Sequence, residues 1–162
     1  MSKAPSKKND AVDLLDADHI AVKKLFQAYH QLAEDGAPGS ERKALADKIC
    51  QELTVHARIE EEVFYPAVRA AIDAEDIMDE ADVEHEGAKH LIEQIEGMDA
   101  DESHFDAKVK VLGEMIDHHV TEEREQMFPK ARSSGLDLKA MVPELQARRE
   151  QVLQELGESV EA

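Results

Sequence analysis

His56-Ala57-Arg58-Ile59-Glu60-Glu61-Glu62-Val63-Phe64-Tyr65-Pro66 recurs further along the chain as His119-Val120-Thr121-Glu122-Glu123-Arg124-Glu125-Gln126-Met127-Phe128-Pro129. Counting back from the proline, His56 aligns with His119 and Glu60 with Glu123. Residues four apart share one face of an α-helix. Each copy therefore sets an imidazole beside a carboxylate, a pair of metal ligands, and two copies predict a two-metal site.

The repeat extends upstream. Asp18-His19-Ile20-Ala21-Val22-Lys23-Lys24-Leu25 aligns with Glu84-His85-Glu86-Gly87-Ala88-Lys89-His90-Leu91. Each half thus has a lone histidine on one helix and a His-x-x-x-Glu on the next. The candidate ligands are His19, His56, Glu60, His85, His119 and Glu123. Two such halves predict two helical hairpins facing each other, because neither buries its apolar face alone.

A chain of 162 residues is read as one domain with room for a sizeable core. Its apolar residues are mostly Leu, Val, Ile, Ala and Met, with no Trp, which favours helix. A formal net charge of −18 argues against nucleic acid or an anionic membrane as main partner. One cysteine, Cys50, rules out a disulfide within the chain and fits a reducing cytoplasm. No apolar run approaches a membrane span. Residues 1–9 carry lysines without a following apolar stretch, so they read as a disordered tail rather than a secretory signal.

Apolar periodicity predicts helices from Asp10 to Ala33, from Ser40 through a proline kink at Pro66, from Asp76 to Glu96, and from a cap at Asp101 or Ser103 onward. A last helix is expected after Pro143, packed outside the bundle or against a partner. The predicted fold is all-α: an up-down-up-down four-helix bundle over residues 10–132 with a C-terminal helical extension over 133–162.

The six candidates lie on the apolar stripes of their helices, where unpartnered polar groups are costly. A metal pair satisfies all six together. His30, His90, His104 and His118 read as ordinary structural or solvated histidines, although His118/Glu122 forms a second His-x-x-x-Glu that competes with His119/Glu123. Imidazoles and carboxylates suit iron, manganese or zinc better than calcium or magnesium. Two glutamates from opposite halves can bridge two metals, leaving about two histidines for each and an open position for O2, peroxide or NO. Lys23 and Lys89, four residues after candidate ligands, both reach toward that position or out to solvent.

These motifs resemble those of the hemerythrin-like, or HHE cation-binding, family of non-haem di-iron proteins, over about residues 10 to 132. The resemblance rests on Asp18-His19 with Leu25-Phe26, Glu84-His85, and the two His-x-x-x-Glu units with their Phe-Tyr-Pro and Met-Phe-Pro endings. It implies two iron ions, oxo- or hydroxo-bridged, inside the bundle. The pattern departs from oxygen-carrying hemerythrins, which have a histidine where Lys89 stands and an aspartate where Arg124 stands. It is closer to bacterial di-iron proteins that repair iron–sulfur clusters, but without their cysteine-bearing N-terminal domain. The expected function is therefore binding or reduction of O2, peroxide or NO in a cytoplasmic stress response or sensing role, with peroxide decomposition as the plausible enzymatic activity. Iron handling and delivery, or a metal-free helical interaction module, are the alternatives. The oligomeric state, monomer or dimer, is left open.

Overall fold

The computed structural model describes the backbone of residues 9–161 and the side chains of residues 9–157. Apart from Asn9, the tail expected over residues 1–9 lies outside the described residues. Helix α1 (Ala11–Glu34) starts one residue after Asp10. The Asp10 carboxylate accepts the Asp13 N–H at 2.9 Å, and the Asp13 carboxylate accepts the Asp10 N–H at 3.2 Å. This reciprocal cap satisfies donors that a helix start leaves free. Gly36, in the left-handed region at φ 69°, turns the chain after α1.

Helix α2 (Gly39–Ile59) does not stop or simply bend at Pro66. It widens into a π-turn over Glu60–Phe64 and continues as α3 (Tyr65–Ala71). The second copy repeats this. Helix α5 (Phe105–Glu122) widens over Glu123–Met127 and continues as α6 (Phe128–Ser133). The N–H of Tyr65 reaches back five residues to the carbonyl of Glu60, and that of Phe128 to Glu123. The proline that follows has no N–H to offer the preceding turn. The chain accommodates the proline with a wider turn and stays helical to Ala71, as the continued apolar pattern predicts.

Helix α4 (Glu75–Glu96) ends at Gly97, and α7 (Met141–Glu161) begins two residues before Pro143, which sits in its first turn. The cap of α5 also differs from the expectation. His104, at φ 74°, precedes the helix, and neither Ser103 nor Asp101 caps it.

Helix α1 packs on α2 and α5, and α4 packs on the same two, giving a four-helix square with short connections. Helix α7 lies outside it, against α2, α1 and the first π-turn. Its inner face buries Leu145 and Val152. Its arginines tie it down: Arg148 pairs with Glu62, and Arg149 with Asp18 at 2.9 Å.

The apolar interior forms two clusters. One is built around Leu15, Ile59, Phe64, Val68, Met78 and Met127, the other around Phe26, Tyr29, Ile49, Ile95, Phe105 and Leu112. Each of these side chains contributes roughly 1.5–3 kcal/mol on burial. His19, His56, Glu60, His119 and Glu123 are the buried polar residues of this interior. Among the described residues no helix is long and apolar enough to cross a membrane.

Candidate metal centre

Four helical arms each contribute an imidazole. His19 comes from α1, His56 from α2, His85 from α4 and His119 from α5. Glu60 and Glu123 open the two π-turns and are 0% and 1% exposed. The structure brings all six together and sorts them into two groups. His19, His56, Glu60 and Glu123 form the first, with one ligand atom from each within 4.8 Å of the others. Glu60, His85 and His119 form the second.

The histidines pair within each half of the repeat, while the glutamates cross between halves. Nε2 of His19 lies 3.2 Å from Nε2 of His56. Glu60 turns Oε2 toward His56 at 3.3 Å and Oε1 toward His85 at 3.1 Å. Glu123 turns Oε1 toward His19 at 3.1 Å and Oε2 toward His119 at 3.2 Å. Each carboxylate therefore offers one oxygen to each histidine pair. Oε2 of Glu60 and Oε1 of Glu123 accept no hydrogen bond. Buried carboxylate oxygens without donors are costly, and both face the first group. A divalent cation there would supply what they lack, so the donor set fits a metal ion.

Every imidazole is held from behind. Nδ1 of His19 meets Asp16 at 3.1 Å, Nδ1 of His56 meets Asp18 at 2.8 Å, Nδ1 of His85 meets Glu61 at 2.8 Å, and Nδ1 of His119 meets Glu84 at 2.6 Å. Donation from Nδ1 to a carboxylate fixes the ring and turns Nε2 inward, and it raises the basicity of a metal-binding histidine. Asp18 and Glu84 each precede one ligand histidine and orient the other histidine of the same half. Their acidity just before a lone histidine is visible in the sequence, but their role was not. Arg124 in turn holds Asp16 at 2.7 Å, and Arg149 holds Asp18.

Sequence reasoning missed Tyr65. Its hydroxyl donates to Oε2 of Glu123 at 2.5 Å and lies 3.3 Å from Oε1 of Glu60. It is also 3.2 Å from Nε2 of His85 and 3.1 Å from Nε2 of His119. The phenol oxygen thus sits among His85, His119 and the carboxylate oxygens that face them. The repeat equivalent, Phe128, has none and stacks instead on the His19 ring at 5.9 Å. The signal was the hydroxyl that distinguishes Phe-Tyr-Pro from Met-Phe-Pro.

His118 and Glu122 are placed elsewhere. The His118 side chain is 67% exposed and sits near Glu84 and Glu122 at the surface. His30, His90 and His104 are exposed as well. Lys89 lines a cavity of about 190 Å3 that reaches the cluster, and Lys23 does not.

The electrostatics of the cluster favour positive charge. Burial alone would push the His56 pKa down, but Glu60 and Asp18 overcome it and hold it well above 6.5. The same contest raises His85 to about 10, through Glu60 and Glu61, and His119 to about 9, chiefly through Glu123. Burial favours the neutral form of Glu60, yet His56 and His85 hold its pKa well below 4.5. Burial and the two glutamates keep the Tyr65 phenol protonated. A metal entering here would displace protons from the imidazoles.

A crystal structure of a hemerythrin HHE cation binding domain-containing protein from Mycobacterium kansasii, a homologue of Rv2633c, is similar in fold. It has a TM-score of 0.73 and 25% identity, over 90% of this chain and 88% of that one. A DNA nickase from Nostoc sp. is 29% identical over 147 residues, 90% of this chain but 40% of the relative, so this chain spans two fifths of that protein's length. The pattern of the hemerythrin HHE cation binding domain matches residues 10–131, and with that match over a bundle that gathers four histidines and two glutamates, the chain belongs to the hemerythrin HHE cation-binding family as a metal-binding protein.

Proposed function

We propose that the chain holds two iron ions at this centre and binds or reduces O2, peroxide or NO there, in an oxidative or nitrosative stress response or as a sensor of these molecules. The observation that carries this reading is the crossing of the glutamates: Glu60 and Glu123 each send one oxygen to each histidine pair. His19 and His56 would hold one metal and His85 and His119 the other, with both carboxylates shared. When bound, an iron pair supplies two adjacent Lewis-acid centres able to exchange two electrons.

The chain's own residues do the rest. Asp16, Asp18, Glu61 and Glu84 hold the four rings with Nε2 inward. Phe64, Tyr65 and Phe128, all buried, close the π-turn side and exclude water. The Tyr65 hydroxyl keeps a proton beside both glutamates. Lys89 lines the open side and has no carboxylate partner among the described residues, so its ammonium is free to donate to a bound small molecule. The DNA nickase is similar over two fifths of its length, and a net charge of −18 disfavours phosphate contact here.

Elemental analysis after anaerobic iron loading tests the reading. About two irons per chain are expected, followed by a change in the optical spectrum on adding O2, NO or peroxide. One metal or none per chain would refute the paired site. Rapid exchange of both irons to a chelator, with no spectral response to these molecules, would favour iron delivery instead. Lys89→Ala is expected to alter the lifetime of the oxidised spectrum with the iron content unchanged.

A further inference from the structure

The open side of the centre is larger and less polar than a diatomic gas or hydrogen peroxide requires. The cavity of about 190 Å3 is walled by Val22, Leu53, Ala88, Ile92, Met115 and Ile116. Four of these stand three residues from a candidate ligand: Val22 after His19, Ala88 after His85, Leu53 before His56 and Ile116 before His119. The helical repeat therefore places one apolar side chain from each arm directly beside its imidazole. Ala88 is the smallest of the four and lines the cavity, so a longer side chain there would extend into it. Apart from the cluster and its carboxylates, the polar lining residues are Thr54, Arg58, Lys89 and His118, half-buried or exposed.

We propose that this vestibule binds the hydrocarbon body of an organic hydroperoxide and presents its peroxide group to the histidine–glutamate cluster. The volume of about 190 Å3 takes in the space between the cluster's own side chains as well as the apolar walls; since about 150 Å3 holds a whole benzene ring, the apolar part suits a compact hydrocarbon body no larger than one ring or a short branched alkyl group. Hydrogen peroxide would lose hydration against these walls and recover nothing from them. A hydrocarbon body gains by leaving water. The opposite side of the cluster is closed by Phe64, Tyr65 and Phe128, which leaves one orientation, with the peroxide inward at the cluster and the body among the apolar walls.

This deepens the function proposed above and rests on it for turnover, though not for binding. In turnover the hydroperoxide O–O bond breaks. The molecule takes two electrons, one from each ion of a ferrous pair, and two protons from solvent. It leaves as an alcohol and a water, and two equivalents of an external one-electron reductant, one for each ferric ion, restore the ferrous pair.

The probes are cumene hydroperoxide and its reduced product, 2-phenyl-2-propanol. Titration of the metal-free protein with the alcohol, followed by saturation-transfer NMR and calorimetry, should show one saturable site. Ala88→Leu should weaken that binding by about tenfold or more, because one misplaced alkyl group in a pocket has an effect of that order. Its iron-to-chain ratio should equal that of the unsubstituted protein. In the iron-loaded variant, oxidation by cumene hydroperoxide should slow by a similar factor and oxidation by hydrogen peroxide should not. Where Ala88→Leu loses helical circular dichroism, Ile92→Phe is read in its place with the same expectations. No saturable alcohol binding, binding unaffected by the filling variant, or equal slowing of both peroxides would each overturn the proposal. Failure to load iron, with alcohol binding intact, would refute the di-iron reading and leave the vestibule standing.

Discussion

Removing a single oxygen, in Tyr65→Phe, tests how the centre is held together before metal arrives. The phenol lies inside the donor cluster and donates to Oε2 of Glu123 at 2.5 Å, with Oε1 of Glu60 at 3.3 Å as a weaker second acceptor. Phenylalanine keeps the ring and its packing against Phe64 and His85. Neither acceptor is stranded, because His119 stays 3.2 Å from Oε2 of Glu123 and His85 stays 3.1 Å from Oε1 of Glu60. The loss is therefore about one hydrogen bond to a charged acceptor, roughly 2 kcal/mol. For a chain of 162 residues that corresponds to a fall of about 4–8 °C in the melting temperature. The assay is thermal and urea denaturation of the metal-free protein at neutral pH, with unchanged circular dichroism as the control for fold. A midpoint within about 1 °C of the unsubstituted protein would show that Tyr65 does not bind the carboxylates in solution, and the account of the second donor group would fall with it.

Stability of the metal-free protein should fall with rising pH. His119 and His85 have folded pKa values of about 9 and about 10, above the ordinary 6.5. Their stabilisation is complete below 6.5, declines as pH rises, and is gone above about 10; urea midpoints measured from pH 6 to 10 should show this decline before loading and a flatter profile after it. Asp18→Asn should lower metal affinity by about 10–100-fold, the usual effect of losing the carboxylate behind a histidine ligand, and Arg149→Met should lower it less; competition with a coloured chelator measures both. His118→Ala should leave the iron-to-chain ratio unchanged, whereas Glu60→Gln should reduce the binding of both ions, since Glu60 belongs to both donor groups. Retention of one tightly held ion in Glu60→Gln would argue against a shared carboxylate.

The repeated His-x-x-x-Glu with its aromatic-proline ending determined much of this protein before any coordinates. It identified the six residues that the structure gathers, and the apolar periodicity placed them on inward faces of four helices. The C-terminal helix and the breaks near Gly36, Gly97 and Ser134 were legible for the same reason, since period and turn chemistry are local properties. The structure decided what depends on relations between arms. On a regular α-helix five residues turn the chain by about 500°, so Tyr65 would point about 140° away from Glu60. The π-turn takes up the extra residue and brings the phenol to the cluster, and no α-helical count over the sequence reveals it. Sorting the histidines into His19 with His56 and His85 with His119 likewise needed the packing of the hairpins, as did the crossing of the glutamates between them. The carboxylates behind the imidazoles are spread from Asp16 to Glu84 in a chain already crowded with acids, so their chemistry is ordinary and their positions are what matter. The cavity beside the cluster is lined by one apolar side chain from each arm, Val22, Leu53, Ala88 and Ile116. A sequence shows four side chains of different size, and their meeting around one metal site is a fact of tertiary structure.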